Sequence, residues 1–492
     1  MELSINIGID RDKPLQTQIF EQLRSLIIAG GIKRGYRLPS SRDLSIQLGL
    51  SRNTVKGAYE KLSDEGYIES RTGSGTFVCS VLPERSMSIK SDNRQSVNLS
   101  APPQVELHFP SIRKDTHIYQ FATKELAYDF QLERTDPQAF PTKTWRRLIN
   151  ARLTVIGSNM TRYGEPAGLQ ELRTAIAARL GVTRGITVDP GQVMIVTGIQ
   201  QGLNIVSHLF IRNGSKVVLE APGYKGASDL FQNYGAELIP VPVDKGGVMI
   251  DKLPDKNVSI AFITPSRQFP MGATMPIENR KVLIDWAAKV GSYIVEVDYD
   301  SDFRYEGAPL PAVKALDNYQ CVIYLGSFSK TIGPGLRIGY MLLPDDLINA
   351  ARSCKILLDY GLPWLDQAVL TDFIESGSYE TYIKRLRHLY QQRRDALINP
   401  LTDRFGEVEL SGVDCGTHII WKLPTDCPGV NELQKTMQTQ QVGIYSLWHN
   451  AICNREFESE CNRLVLLGYG SLPEHKIREG ILRIIKELQK PS

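Results

Sequence analysis

Hydrophobic residues recur at helical spacing in the first part of the chain. Leu15, Ile19, Leu23, Leu26 and Ile27 predict a helix over residues 15–29. Arg37-Leu-Pro-Ser-Ser-Arg-Asp-Leu44 opens a second helix, with Ser40 or Ser41 as N-cap. Leu48-Gly-Leu50 reads as a tight turn, and Ser51 caps a third helix whose apolar stripe is Val55, Ala58, Tyr59 and Leu62. Arg52, Asn53 and Lys56 fall on the opposite side of that helix, near its start. Two short runs, 67–71 and 76–78, then flank Thr72-Gly-Ser-Gly75, the signature of a hairpin. Helix, glycine turn, helix with a basic polar start and hairpin, in that order, make a winged helix-turn-helix. The second helix of that motif enters the major groove of duplex DNA.

The pattern changes twice. Residues 79–122 are rich in Ser, Pro, Asn, Arg and Lys and carry no sustained periodicity, which predicts a linker. From residue 123 to 492 short, β-branched runs alternate with helical stretches. The runs are Val193–Val196, Lys216–Leu219, Ile260–Ile263, Tyr293–Val297 and Val322–Leu325; helices are expected over 200–210 and 280–290. This alternation predicts an α/β fold: a mostly parallel sheet with helices on both faces. The part from about Leu357 onward reads as a smaller, mixed C-terminal lobe.

Composition narrows the options little. The 492 residues carry a net charge of only +3, so a nucleic-acid surface has to be local. Seven scattered cysteines without metal-ligand spacing read as free thiols of a reducing cytoplasm, with no metal site. The first residues do not look like a signal peptide, and no apolar run approaches the length of a membrane span.

The chemistry concentrates after the run 321–325. Lys330 follows it, with Ser327 three residues before and Arg337 seven after. A lysine at a strand end beside a hydroxyl and a guanidinium suits an imine to an aldehyde cofactor that carries a phosphate; pyridoxal 5'-phosphate is that cofactor. Thr197-Gly-Ile-Gln-Gln-Gly202 follows another strand and opens a helix, where the backbone N–H groups of Gly198, Ile199 and Gln200 offer a phosphate site. Tyr224 lies in the loop after 216–219 and is placed to stack on a pyridine ring. The loops 265–272 and 297–300 end at the same sheet edge, where ligands of open α/β sheets bind.

Two resemblances follow from these motifs. Residues 36–78 resemble the GntR family of bacterial transcription regulators, through Arg37-Leu-Pro-Ser40, Leu50-Ser-Arg-Asn-Thr-Val55, Glu65-Gly66 and Gly73-Ser-Gly-Thr-Phe-Val78. The later part resembles fold-type I, aspartate-aminotransferase-like enzymes, supported by Tyr163-Gly-Glu-Pro-Ala-Gly-Leu169 and Asp298-Tyr-Asp-Ser-Asp-Phe-Arg-Tyr305. Joined, the two look like the MocR/GabR subfamily of GntR regulators. The resemblance implies a winged helix-turn-helix over residues 1–78 with Arg42, Arg52, Asn53, Lys56 and Gly73 facing promoter DNA. It further implies Lys330 as the imine lysine, Ser327 and Arg337 as phosphate ligands, Tyr299 at the phenolic oxygen, Tyr224 stacking, and a homodimer. Tyr163, Arg267 and Trp448 are further candidates for the pocket wall, each equally suited to a packing or surface role.

The chain departs from the family pattern at two places. The family has an aspartate two residues before the tyrosine, where it bonds the pyridine nitrogen; here that residue is Val297. Along a strand Val297 shares a face with Tyr299, while Glu296 and Asp298 point the other way. Amino-acid-acting relatives carry a carboxylate-binding arginine where this chain has Leu466; Arg463, three residues off, is expected to face away. These departures favour a regulator that senses pyridoxal phosphate, or an amine or amino acid, over a working aminotransferase with an accessory DNA-binding domain. Loss of the cofactor altogether is disfavoured by Ser327, Lys330 and Arg337.

Overall fold

The computed structural model of the protein describes residues 5, 13–71, 73–83, 126–447, 451–452 and 458–489. The chain divides into two compact units, residues 1–107 and 108–492. Residues 84–122 of the expected linker, Thr72 of the hairpin and Trp448 lie outside the described residues.

In the first unit, α1 (Leu15–Ile28), α2 (Ser41–Leu48) and α3 (Arg52–Asp64) precede the antiparallel hairpin of β1 (Ile68–Arg71) and β2 (Gly75–Val78). Ser40, not Ser41, is the N-cap of α2: its hydroxyl accepts from Asp43 N. Ser51 caps α3 in the same way through Thr54 N. Each such cap contributes about 1 kcal/mol. Gly49 closes α2 in the left-handed conformation, which makes the turn between the two helices sharp. The stripe of α3 is buried as its spacing requires: Val55, Ala58, Tyr59 and Leu62. The stripe of α1 differs from expectation. Leu15 is exposed and Phe20 is buried instead, its ring covered by the Lys61 ammonium of α3 at 4.3 Å. The core of this unit runs on past the hairpin, because Cys79 N donates to Tyr67 O and Leu82 packs with Tyr67 and Ile68.

The second unit is built on an eight-stranded sheet. Its strands in chain order are β3 (Val193–Val196), β4 (Lys216–Ala221), β5 (Glu237–Asp244), β6 (Gly247–Val248), β7 (Ile260–Ile263), β8 (Tyr293–Asp298), β9 (Val322–Ser327) and β10 (Gly339–Leu342). Their spatial order is β3-β10-β9-β8-β7-β4-β5-β6. The run from β9 to β5 is parallel, while β10 lies antiparallel between β9 and β3. The sequence reading missed β5 and β10. Pro240 and Pro242 interrupt the periodicity of β5, and β10 follows β9 too closely for the helical crossover a parallel strand needs.

Alternate residues supply the two faces. Val193, Ile195, Tyr324, Tyr340 and Leu342 face one hydrophobic core. Met194, Val196, Leu219, Phe262, Val297, Leu325 and Met341 face another, which includes residues of α4 (Ile199–Phe210). Helix α5 (Ile277–Val290) packs on Val218, Ala261, Ile294 and Val322. A helix of 28 residues, Ser378–Phe405, leads into the smaller lobe. There β11 (His418–Lys422) and β12 (Leu464–Gly468) pair antiparallel at the centre of a four-stranded sheet. Among the described residues, no helix is long and apolar enough to cross a membrane.

Candidate functional site

Register assembles the phosphate end of the site. Ser327, the last residue of β9, pairs with Gly339 of β10, and Gly339 pairs with Val196, the last residue of β3. The Ser327–Lys330 turn and Arg337 thus meet the 197–200 loop, more than 120 residues earlier in the chain, at one sheet corner. Arg337 Nη2 donates to Thr197 O at 2.6 Å. Gly198 has φ +98°, a conformation suited to glycine, and α4 begins at the next residue. The first N–H groups of a helix have no intrahelical acceptor and carry the positive end of its dipole. A hydroxyl, a guanidinium and a helix N-terminus therefore surround one small volume, a donor set suited to a phosphate. Ser327 Oγ also accepts from Ser329 N, which fixes the turn into Lys330.

The aromatic end lies next to it. Tyr224 OH reaches Gln200 Oε1 at 3.4 Å, and its ring packs edge-on to Phe269 at 5.9 Å. Phe269 is likewise edge-on to Tyr299 at 5.9 Å. The Tyr299 hydroxyl is fully buried and has no hydrogen-bond partner among the described residues. Burial pushes its pKa up, opposed by the nearby Arg267 guanidinium. An orphaned phenol beside a phosphate-type donor set is what a phosphorylated hydroxypyridine would satisfy, so the residues present fit pyridoxal phosphate.

The strand faces separate the acids from the ring. Val297 packs in the apolar core shared with Leu325 and with the edges of Tyr224 and Tyr299. Glu296 points to the other side, where it accepts from Val313 N and Lys314 N. Asp298 pairs with Arg184 at 2.8 Å and accepts from Tyr324 OH at 2.7 Å. Arg463 is turned away as expected, its guanidinium donating to Cys427 O and Leu423 O. Leu466 is buried in a cluster with Phe269, Ile420 and Leu447, against which Tyr224 and Tyr299 pack.

The structure adds Asp300, Thr417 and His418, to which the sequence reading gave no role, and fixes Arg267, one of its candidates for the pocket wall. Asp300 is buried close enough to Lys330 to feel its charge. One of its oxygens accepts from Thr417 N at 3.0 Å and the other has no partner among the described residues. Burial raises its pKa to about 6, opposed by Arg267 and Lys330. Arg267 is locked in place: its terminal nitrogens donate to Gly412 O and His418 O, and its Nε lies 3.6 Å from Asp300. His418 is held well below the usual imidazole pKa by burial and by the Arg267 and Lys330 charges. Thr417 and His418 come from the C-terminal lobe, 87 and 88 residues beyond Lys330, and no local motif announces them. Tyr163 is 89% exposed and leans on Tyr360.

In the first unit, Arg42, Arg52, Asn53 and Lys56 are all exposed. Lys56 pairs with Glu60 one turn on, at 3.4 Å. Gly73, at φ +74°, forms part of the turn between the hairpin strands. Arg71 covers Phe77 across the hairpin at 4.9 Å.

Comparison with known proteins agrees with both halves. Residues 15–78 match the model of the bacterial regulatory proteins of the gntR family. Residues 133–448 match that of aminotransferase class I and II. The chain is 32% identical over 476 residues to the probable rhizopine catabolism regulatory protein MocR of Rhizobium meliloti, covering 96% of this chain and 93% of that one. It is 28% identical over 421 residues to the pyridoxine biosynthesis transcriptional regulator PdxR of Corynebacterium glutamicum, covering 85% of each. The crystal structure of Pyrococcus horikoshii kynurenine aminotransferase, in complex with PMP, superposes with a TM-score of 0.68 at 28% identity, over 75% of this chain and 93% of that one. A gntR-type DNA-binding unit joined to an aminotransferase-fold unit defines a class of transcription regulator. The chain belongs to the MocR/GabR-type regulators of the GntR family.

Proposed function

We propose that this regulator binds promoter DNA through its first unit and pyridoxal 5'-phosphate at Lys330 in its second, and that the second unit senses the cofactor or an amine. The observation that supports it most strongly is the convergence of Ser327, Arg337 and the Gly198 loop beside Lys330, with the Tyr299 phenol left unpaired. Bound pyridoxal phosphate supplies an aldehyde that condenses with primary amines and a ring able to take up electrons. Lys330 supplies the amine that holds the aldehyde. Ser327, Arg337 and the N–H groups of residues 198–200 hold the phosphate, Tyr299 donates at the ring oxygen, and Tyr224 covers the ring.

The site supports binding more than turnover. Val297 places hydrocarbon where a carboxylate would keep a ring nitrogen protonated, and its strand neighbours Glu296 and Asp298 are committed on the opposite face. A ring without that proton is a weak electron sink. The pyridoxine in the name of the relative PdxR supports a link to this cofactor. The exposed Tyr163 and Tyr360, whose rings lie 5.7 Å apart, and the exposed Leu357 suit a homodimer, which would present two winged helices to paired half-sites.

The test is binding of the full-length protein to the DNA upstream of its own gene, with and without pyridoxal phosphate. Specific binding that the cofactor changes, and that is lost in the R42A/R52A double variant, is the expected result. Binding by the double variant as tight as by the wild type would contradict the assignment.

A further inference from the structure

Two features of opposite character border Tyr299, the residue assigned to the ring oxygen. Leu464 and Leu466 lie on the same face of β12 and, with Phe269, Ile420 and Leu447, present hydrocarbon to Tyr224 and Tyr299. At the other side Asp300, itself fully buried, keeps one carboxylate oxygen without a partner among the described residues, and Lys330 acts on it electrostatically. The neighbouring cation Arg267 has its terminal nitrogens on two backbone carbonyls and its Nε 3.6 Å from Asp300.

From this pairing we propose that Leu466 and Asp300 make the pocket selective for primary amines that carry no carboxylate beside the nitrogen. This rests on the reading of Lys330 as the cofactor lysine. A ligand carboxylate brought against Leu466 would be desolvated among hydrocarbon side chains, and it would meet the charge of Asp300 as well. An ammonium group meets the reverse situation: the free oxygen of Asp300 accepts from it, while an apolar substituent packs on Leu466 and Phe269. Amino acids are then poor effectors, and the matching decarboxylated amines are good ones.

Calorimetric titration of the full-length, cofactor-loaded protein with 2-phenylethylamine and with L-phenylalanine isolates the carboxylate, the only difference between them. The amine is expected to bind tighter by about a hundredfold, the scale set by leaving one buried charge unpaired. In L466R the preference should shrink by about tenfold or more. Where that variant does not fold, L466Q carries the same comparison with a smaller shift. Equal or tighter binding of the amino acid by the wild-type protein overturns this inference and leaves the cofactor reading standing; so does an unchanged ratio in a folded variant. A protein that takes up no pyridoxal phosphate overturns the cofactor reading and this inference with it.

Discussion

The guanidinium of Arg337 lies against the bare Cα of Gly198: its Nη2 is 3.1 Å from where a methyl group on that carbon would stand. The two residues are 139 positions apart and meet only because β10 returns antiparallel between β9 and β3. A methyl at 198 would crowd the arginine by a few tenths of an ångström and strain a backbone at φ +98°. Gly198→Ala should therefore weaken pyridoxal phosphate binding by roughly tenfold or more, with strain of about 1–3 kcal/mol lowering the melting temperature as well. Fluorescence titration with the cofactor checks the first effect and thermal unfolding the second.

Val297→Asp should separate packing from cofactor chemistry. Val297 is 4% exposed in an apolar core, so an unpaired carboxylate there should cost about 2–4 kcal/mol in the cofactor-free protein. Pyridoxal phosphate should then raise the melting temperature of the variant by more than that of the wild type, since the ring nitrogen gives the new acid a partner. An equal rise in both would show that position 297 does not face the ring.

Arg52 is exposed at the first turn of α3 and makes no ion pair among the described residues, whereas Lys56 is tethered to Glu60. Arg52→Ala should weaken promoter binding. If its contact is to a phosphate, the slope of log affinity against log salt should also fall by about 1. Lys56→Ala should have the smaller effect. Anisotropy titrations across a salt series give both quantities.

Glu220 offers a pH test of the scaffold beside the site. One of its oxygens accepts from Thr264 N and Oγ1, and the other has no partner among the described residues. Burial pushes its pKa up to about 7 from an ordinary 4.5. A raised folded-state pKa favours folding while the group is protonated in both states. That contribution is fully present below about pH 4.5 and is lost as pH rises through about 7. Its size is on the order of 3 kcal/mol. In Glu220→Gln this part of the pH dependence should vanish, so the melting temperatures of variant and wild type should differ most in slope between those two pH values. Parallel profiles would mean that Glu220 does not titrate in that range.

Much of this was legible in the sequence because the signals were local. The cap Ser51, the stripe Val55–Leu62 and the strands 193–196 and 260–263 each follow from a few neighbouring residues, while the choice of Ser40 over Ser41 does not. The face alternation that sets Val297 against Glu296 and Asp298 is local as well. What stayed hidden depends on long-range contact. Nothing near Asp300 shows that Thr417 will bind one of its oxygens and leave the other free. The locking of Arg267 by carbonyls of residues 412 and 418 is equally invisible from the loop that carries it. Phe20 on the buried face of α1 is a different case: three residues before Leu23 and seven before Ile27, it fits the helical period, and the sequence reading passed over it.

The most direct test of the central claim is to load the full-length protein with pyridoxal phosphate, reduce it with borohydride and map the modified peptide by mass spectrometry. One phosphopyridoxyl group on Lys330, absent from Lys330→Ala, is the predicted result. A chain that remains unmodified at saturating cofactor, or is modified only at other lysines, would contradict it.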